Sequence, residues 1–185
     1  SGPDAVAACD TLIKQNPKDP NRLTARGIQW TKLNQFDKAI ADYNEALRFD
    51  PKFAVALSYR GNALRMVGQD EKALADLEQA ISMNAKDAHA FFNRGAIRFD
   101  RQDYARAIAD FDEAIRLDSK DDAFFTMRGL AWLRSGDLDK AMADYDEAIR
   151  VNPKGAATAF NNRSSVWRRK KEFDKSIADS NEAIR

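Results

Sequence analysis

Residues able to perform chemistry are scarce in this chain, which has a single cysteine and a single histidine. Cys9 alone cannot form an intrachain disulfide or a cysteine metal cluster, and His89 alone excludes every site that needs two imidazoles. Asp110, Asp112 and Glu113 have a superficial calcium spacing, but the glycine and loop of a calcium site are missing. No phosphate-binding glycine loop, Gly-x-Ser-x-Gly or His-Glu-x-x-His motif occurs. The sequence therefore predicts no catalytic residue, no metal and no cofactor.

The overall charge is balanced, with 30 basic and 29 acidic residues among 185. This balance excludes a globally basic nucleic-acid binder. One dense basic run occupies residues 167–171, beside Trp167, and we interpret it as a solvated helix end next to a packed ring rather than as a nucleic-acid site. The apolar runs are far shorter than the ~18 residues of a membrane span, so no span is predicted in this fragment.

An arginine and an aspartate recur together at a fixed separation of 16 residues. The half unit at 4–19 has no first helix and therefore no such arginine, and Ala8 stands at the position of the recurring aspartate, which favours pairing within a repeating unit. An arginine beside a tightly packed glycine needs an acidic partner. We therefore predict structural bridges between the two helices of each unit, in five pairs: Arg26 with Asp42, Arg60 with Asp76, Arg94 with Asp110, Arg128 with Asp144, and Arg163 with Asp179.

The elements that position these pairs are given by a repeat of 34 residues. Glycines at 27, 61, 95 and 129 keep this spacing, and alanines follow 12 and 19 residues after each of them. Each unit shows two apolar stripes of helical period, separated by Asn34 or by Gly68 or Gly136, where glycine suits a left-handed residue. No single unit can enclose a core, so the units must stack.

Glycine at the eighth position, alanines at the twentieth and twenty-seventh, and proline near the thirty-second resemble the tetratricopeptide repeat (TPR). The tripeptides Asn93-Arg94-Gly95 and Ala143-Asp144-Tyr145 are similar to those of bacterial versions of this repeat. The resemblance covers residues 4–185 and implies an all-α fold, a right-handed superhelix of antiparallel helix pairs.

The register divides the chain into one solenoid domain, which we interpret as a fragment of a longer protein. The boundaries are a cloning scar at 1–3, a half repeat with only a second helix at 4–19, and repeats at 20–53, 54–87, 88–121, 122–156 with one inserted residue, and 157–185, which is truncated. The compartment is not predicted, because the protein is cytoplasmic or, if an export signal was removed, periplasmic.

The resemblance implies that the first helices line a concave groove for a peptide. The groove residues transferred to this sequence are Lys32, Tyr59, Asn62, Arg65, His89, Phe92, Asn93, Phe99, Met127, Leu130, Arg134, Asn161, Asn162, Arg168 and Arg169. Asparagines offer donors and acceptors to an extended backbone, and the basic excess suits an acidic or C-terminal peptide. Asn62 and Asn93 match the asparagines of the family's chaperone-tail clamp, but its basic positions hold Ser58, Ala123 and Met127.

The predicted function is therefore a non-catalytic scaffold that binds a partner protein or peptide. Two alternatives stay open: a self-assembling module that uses its exposed ends, or the regulatory arm of a larger enzyme. For the first alternative, we expect Ile177 and Ile184 to be uncovered at one end, and Val6 and Ile13 at the other.

Overall fold

The computed structural model describes residues 2–184, except for the side chains of residues 2 and 3. The expected scar at 1–3 thus lies largely outside the described residues. The described chain forms eleven helices and no strands: α1 (Gly2–Gln15), α2 (Pro20–Lys32), α3 (Phe36–Phe49), α4 (Ala54–Met66), α5 (Asp70–Met83), α6 (Ala88–Asp100), α7 (Tyr104–Leu117), α8 (Asp122–Ser135), α9 (Leu138–Val151), α10 (Ala157–Arg169) and α11 (Phe173–Glu182). The all-α class expected from the sequence is confirmed.

The helices alternate between two kinds. The first helices, α2, α4, α6, α8 and α10, begin at the same residues as the five predicted repeats. The second helices are α1, α3, α5, α7, α9 and α11. The chain separates into two compact halves, Ser1–Arg94 and Gly95–Arg185, which we call the N-terminal and C-terminal halves.

The turn between the two helices of a repeat contains one left-handed residue. Gly68 and Gly136 have φ of 74° and 96°, as the sequence predicted, and Asn34 has φ of 56°. In two other repeats, Gln102 (62°) and Lys171 (63°) occupy this conformation, which ordinary residues adopt at a cost of about 1 kcal/mol. The backbone of the turn is therefore kept even where glycine is absent.

The regular glycines allow the two helices of a repeat to pack closely. A Cβ on Gly129 would lie 2.8 Å from Cε1 of Tyr145, and one on Gly27 would lie 2.5 Å from Cε1 of Tyr43. Both tyrosines are fully buried. The glycine thus makes room for a large side chain from the second helix, which offsets its unfavourable helix propensity.

Repeat five uses a different pair at the same two positions. Ser164 replaces the glycine and Ser180 replaces the large residue, and their Oγ atoms lie 2.9 Å apart. Ser176, at an alanine position, places its Oγ 2.8 Å from that of Ser164. A buried hydroxyl cluster therefore replaces the aromatic contact in this repeat.

Bidentate arginine–aspartate pairs join the two helices of several repeats. Arg26 donates from Nε and Nη2 to Asp42 at 2.8 and 2.6 Å. The same fork, with distances of 2.6 to 2.9 Å, joins Arg60 to Asp76, Arg128 to Asp144, and Arg163 to Asp179. In repeat three, Asp110 accepts from Nη1 of Arg98 at 2.8 Å.

Each forked arginine also contacts the preceding second helix, which the sequence analysis missed. Its Nη1 reaches a residue 16 or 17 positions earlier, at 2.5 to 2.7 Å: Asp10 for Arg26, Asn44 for Arg60, Asp112 for Arg128 and Asp146 for Arg163. The hydrogen bond to Asp42, followed by that to Asp10, raises the pKa of Arg26, despite the opposing effect of burial. These arginines therefore join three helices each.

The two ends of the helical stack differ from the expectation in one respect. Val6 is 6% exposed, because α1 packs this face against α2, so the prediction that Val6 is uncovered is wrong. Ile13 is half-buried. On α11, Phe173 and Ile177 are exposed, and Ile184 just beyond the helix is exposed as well.

Candidate functional site

A cleft of about 240 Å³ lies in the N-terminal half, between α4 and the start of α6. We call it the α4–α6 cleft. It is lined by Ser58, Tyr59, Asn62, Asp87, His89 and Asn93. Four of these, Tyr59, Asn62, His89 and Asn93, belong to the predicted groove.

The polar groups of the α4–α6 cleft are held by local hydrogen bonds. Asn93 is buried, its Nδ2 donates to the backbone oxygen of His89 at 2.9 Å, and its Oδ1 accepts from Nε of Arg65 at 3.3 Å. Asp87 caps α6 by accepting from the backbone N of Ala90 at 3.1 Å. The Asn93 amide therefore contacts Arg65 and the backbone of its own helix while it lines the cleft, as expected of a groove residue.

A second cleft, of about 470 Å³, lies in the C-terminal half between α8 and α10. We call it the arginine cleft. It is lined by Leu130, Leu133, Arg134, Asn162, Ser165, Arg168 and Arg169. Five of these, Leu130, Arg134, Asn162, Arg168 and Arg169, belong to the predicted groove.

The three guanidinium groups of the arginine cleft have no carboxylate partner among the described residues. Arg169 donates from Nη1 to the backbone oxygen of Leu133 at 3.3 Å, and Arg168 donates from Nη2 to Oγ of Ser165 at 3.1 Å. Neither of them, nor Arg134, forms an ion pair within residues 2–184. The cleft is consequently cationic at its rim and apolar at Leu130 and Leu133.

A buried hydroxyl group lies beneath this cleft. Tyr145 packs with Leu133 and Val166, and its Oη has no hydrogen-bond partner among the described residues. Its counterpart Tyr43 places Oη 3.0 Å from Oγ1 of Thr31, whose position in repeat four is taken by Leu133. Burial, followed by the nearby Asp144 charge, raises the pKa of the Tyr145 phenol.

Six predicted groove residues line neither cleft: Lys32, Arg65, Phe92, Phe99, Met127 and Asn161. Phe99 packs against Tyr104 at a centroid distance of 5.5 Å, and Lys32 and Asn161 are exposed. The sequence analysis, in turn, did not place Asp87 or Ser165 in the groove. The helix-capping preference of aspartate just before Ala88 is the signal that could have found Asp87.

The side chains of the basic run at 167–171 make contacts in different places. Lys170 pairs with Asp139 of α9, and the Nζ of Lys175 lies 4.6 Å from the ring centroid of the half-buried Trp167. Arg168 and Arg169 line the arginine cleft instead. The run is therefore not one continuous basic surface.

The residues with catalytic or metal-binding chemistry lie apart in the described part of the chain. Burial raises the pKa of the half-buried Cys9 thiol, which disfavours the reactive thiolate. Asp112 and Glu113 are paired with Arg128 and Arg116, respectively. Among residues 2–184, no group of three or more His, Cys, Asp or Glu side chains is arranged to hold a metal ion. None of the described helices combines the length and apolarity needed to cross a bilayer.

Family models identify the class of protein. A tetratricopeptide repeat model matches residues 60–122 and 126–185, and a second TPR repeat model matches residues 29–68. The chain therefore belongs to the tetratricopeptide repeat family. Membership of this family supports a role as a protein-interaction scaffold. No curated protein matches the sequence.

Several solved structures share this fold. MamA is 23% identical with a TM-score of 0.73, covering 85% of this chain and 92% of its own. YrrB, described as a TPR protein with an unusual peptide-binding site, is 22% identical with a TM-score of 0.71, covering 97% and 92%. The pilF protein of Pseudomonas aeruginosa is 16% identical with a TM-score of 0.81, covering 89% and 75%. At these identities, the likeness establishes the TPR solenoid fold alone.

Proposed function

We propose that this protein is a non-catalytic scaffold that binds an extended segment of a partner protein against its first helices. The observation that carries the proposal is the position of the clefts. In each half, a cleft opens between consecutive first helices, α4 and α6 in one and α8 and α10 in the other. A further cleft of about 470 Å³ opens between the second helices α3 and α5, but two of its charged lining residues, Arg60 and Asp76, are already bonded to each other.

The chemistry of the two clefts suits a peptide. Asn62 and Asn162, both half-buried, carry amide groups that can donate to and accept from a peptide backbone. Tyr59 and Leu130 provide apolar contacts for its side chains. The cationic arginine cleft favours an acidic segment at that point. The peptide-binding site of the structurally similar YrrB supports the same kind of ligand.

Selection from a random 12-residue peptide display library tests this function. The test variant is Asn62→Ala with Arg134→Ala, which removes one group from each cleft. The matched control, Asn181→Ala with Arg116→Ala, removes the same side-chain types from second helices, where both are exposed. We expect peptides enriched on the wild-type protein to bind the control equally and the test variant at least about tenfold more weakly. The proposal fails if no peptide is enriched, or if the control loses as much binding as the test variant.

The exposed face of α11 favours a second candidate, self-association. Phe173 and Ile177 are each 61% exposed, whereas their counterparts Phe36 and Ile40 pack against the cluster of Ala39, Tyr43 and Ala63. A second copy of the chain would bury this face. Sedimentation velocity over a range of concentrations should then show a dimer that Ile177→Glu abolishes. A wild-type protein that stays monomeric at high concentration would exclude this candidate.

A further inference from the structure

We infer that the arginine cleft is a binding site for a doubly negative oxyanion group on a peptide, namely a phosphorylated side chain. This inference rests on the proposed function and specifies the anchoring group of its ligand. Three guanidinium groups line one cleft of about 470 Å³ whose lining contains no acidic side chain among the described residues.

The pairing of the other arginines shows that this arrangement is unusual for the chain. Most arginines with an assigned contact face a carboxylate, including Arg22, Arg26, Arg48, Arg60, Arg98, Arg106, Arg116, Arg128, Arg150 and Arg163. Even Lys170, directly after the cleft residues, is paired with Asp139. Charge is therefore balanced around the cleft and left unbalanced within it.

Two of the three guanidinium groups are oriented by contacts at one edge only. Arg169 uses Nη1 for the Leu133 carbonyl, and Arg168 uses Nη2 for the Ser165 hydroxyl. A guanidinium has five N–H donors, so most of them remain available for an anion. Asn162 adds an amide donor to the same lining.

The charge count favours a dianion over a single carboxylate. One carboxylate would neutralise one of three positive charges, whereas a phosphate carries between −1.5 and −2 at pH 7 and offers three acceptor oxygens. Bidentate contacts from arginine to phosphate are among the strong hydrogen bonds of proteins. The C-terminal ends of helices attract cations, which accounts for Arg134 in the last turn of α8 and for Arg168 and Arg169 in the last turn of α10. This attraction does not require the three side chains to line one cleft.

The test compares fluorescein-labelled hexapeptides by fluorescence anisotropy with the whole chain. One has a central phosphoserine and an amidated C-terminus, the second has serine in its place, and the third has serine with a C-terminal glutamate and free carboxylate. We expect the phosphopeptide to bind at least about tenfold more tightly than the serine peptide, and more tightly than the glutamate peptide. Arg134→Ala and Arg168→Ala should each remove most of this preference, while Arg116→Ala, an exposed arginine of α7, should leave it intact.

Each other outcome overturns the inference. Equal binding of the three peptides, tightest binding of the glutamate peptide, or equal effects of Arg116→Ala and Arg134→Ala shows that the cleft does not select a phosphorylated side chain. If peptides from the display library still bind at the first helices in that case, the proposed function survives without this site. Tighter binding of a single-stranded oligonucleotide than of either charged peptide, lost in Arg168→Ala, would assign the cleft to nucleic acid instead.

Discussion

Arg128 donates two hydrogen bonds to Asp144, from Nε to Oδ2 at 2.9 Å and from Nη2 to Oδ1 at 2.6 Å, and a third from Nη1 to Oδ1 of Asp112 at 2.7 Å. One planar side chain thereby connects α8 with its partner α9 and with the preceding second helix, α7. Lysine lacks this fork and could not make both bonds to one carboxylate. The same arrangement is present in repeats one, two and five, and it connects neighbouring repeats as well as the helices within each one.

Removing the Asp144 carboxylate should show how much its pair with Arg128 contributes to the free energy of unfolding. Asp144 is only 7% exposed, so Asp144→Ala leaves the buried part of the Arg128 guanidinium without its main partner. We expect a loss of about 3 kcal/mol in the free energy of unfolding, measured by urea denaturation. The double change Asp144→Leu with Arg128→Met should cost less than the sum of the single changes. Glu147→Gln, which breaks an exposed pair with Arg150, serves as the control and should leave the midpoint unchanged.

The serine cluster of repeat five should be exchangeable for the glycine–aromatic contact of repeats one, three and four. Ser180→Tyr alone forces a ring against Ser164 and should destabilise the protein by about 1–3 kcal/mol. Adding Ser164→Gly recreates the geometry of Gly129 and Tyr145 and should recover most of the loss. Additive effects of the two substitutions in thermal unfolding would show that these positions do not pack against each other.

The two buried tyrosines should respond oppositely to loss of their hydroxyl groups. The Tyr145 hydroxyl has no partner among the described residues, so Tyr145→Phe should stabilise the protein by about 1 kcal/mol at neutral pH. Tyr43→Phe removes the contact with Thr31 and should destabilise it by about the same amount. Urea denaturation of both variants decides this, and a destabilising Tyr145→Phe would mean that its hydroxyl group is satisfied.

Alkaline pH should destabilise the fold through the same two residues. Burial raises the pKa of Tyr43 and of Tyr145 above the ordinary value near 10. Above that pH, the unfolded chain releases these protons while the folded protein keeps them, so the stability present below pH 10 is lost as the pH rises. Each tyrosine should contribute a slope of about 1.4 kcal/mol per pH unit in this range. The Tyr43→Phe/Tyr145→Phe double variant should show a shallower decline, and an unchanged slope would contradict the assignment.

The repeating architecture could be predicted because its causes are local and recur. Each glycine, its alanines and the helical apolar stripe return with the same spacing, so the helix starts follow from the register alone. The pairing of Arg128 with Asp144 could also be predicted from the sequence. The two residues recur together in the repeats, and the half unit at 4–19 has neither of them at the corresponding positions. The third contact of the arginine was not predicted, since the acceptor position varies between aspartate and Asn44.

The clefts could be predicted only in part, because they depend on which side chains are already engaged. The sequence predicts Asn93 as a groove residue, but it does not show that the Asn93 amide also bonds to Arg65 and to the His89 backbone oxygen. The grouping of Arg134 with Arg168 depends on how α10 packs against α8, across an insertion that Asn152 accommodates by accepting from the Gly155 backbone N at 3.0 Å. Such contacts between repeats are not encoded in the register.

Amide NMR with a peptide from the display selection tests the central claim most directly. The wild-type chain, labelled with ¹⁵N, is titrated to saturation and the shifted resonances are mapped onto the helices. The account predicts that the largest shifts fall on the first helices, at Tyr59 and Asn62 or at Asn162 and Arg168. Shifts confined to the second helices, or to α11 around Phe173 and Ile177, would contradict it.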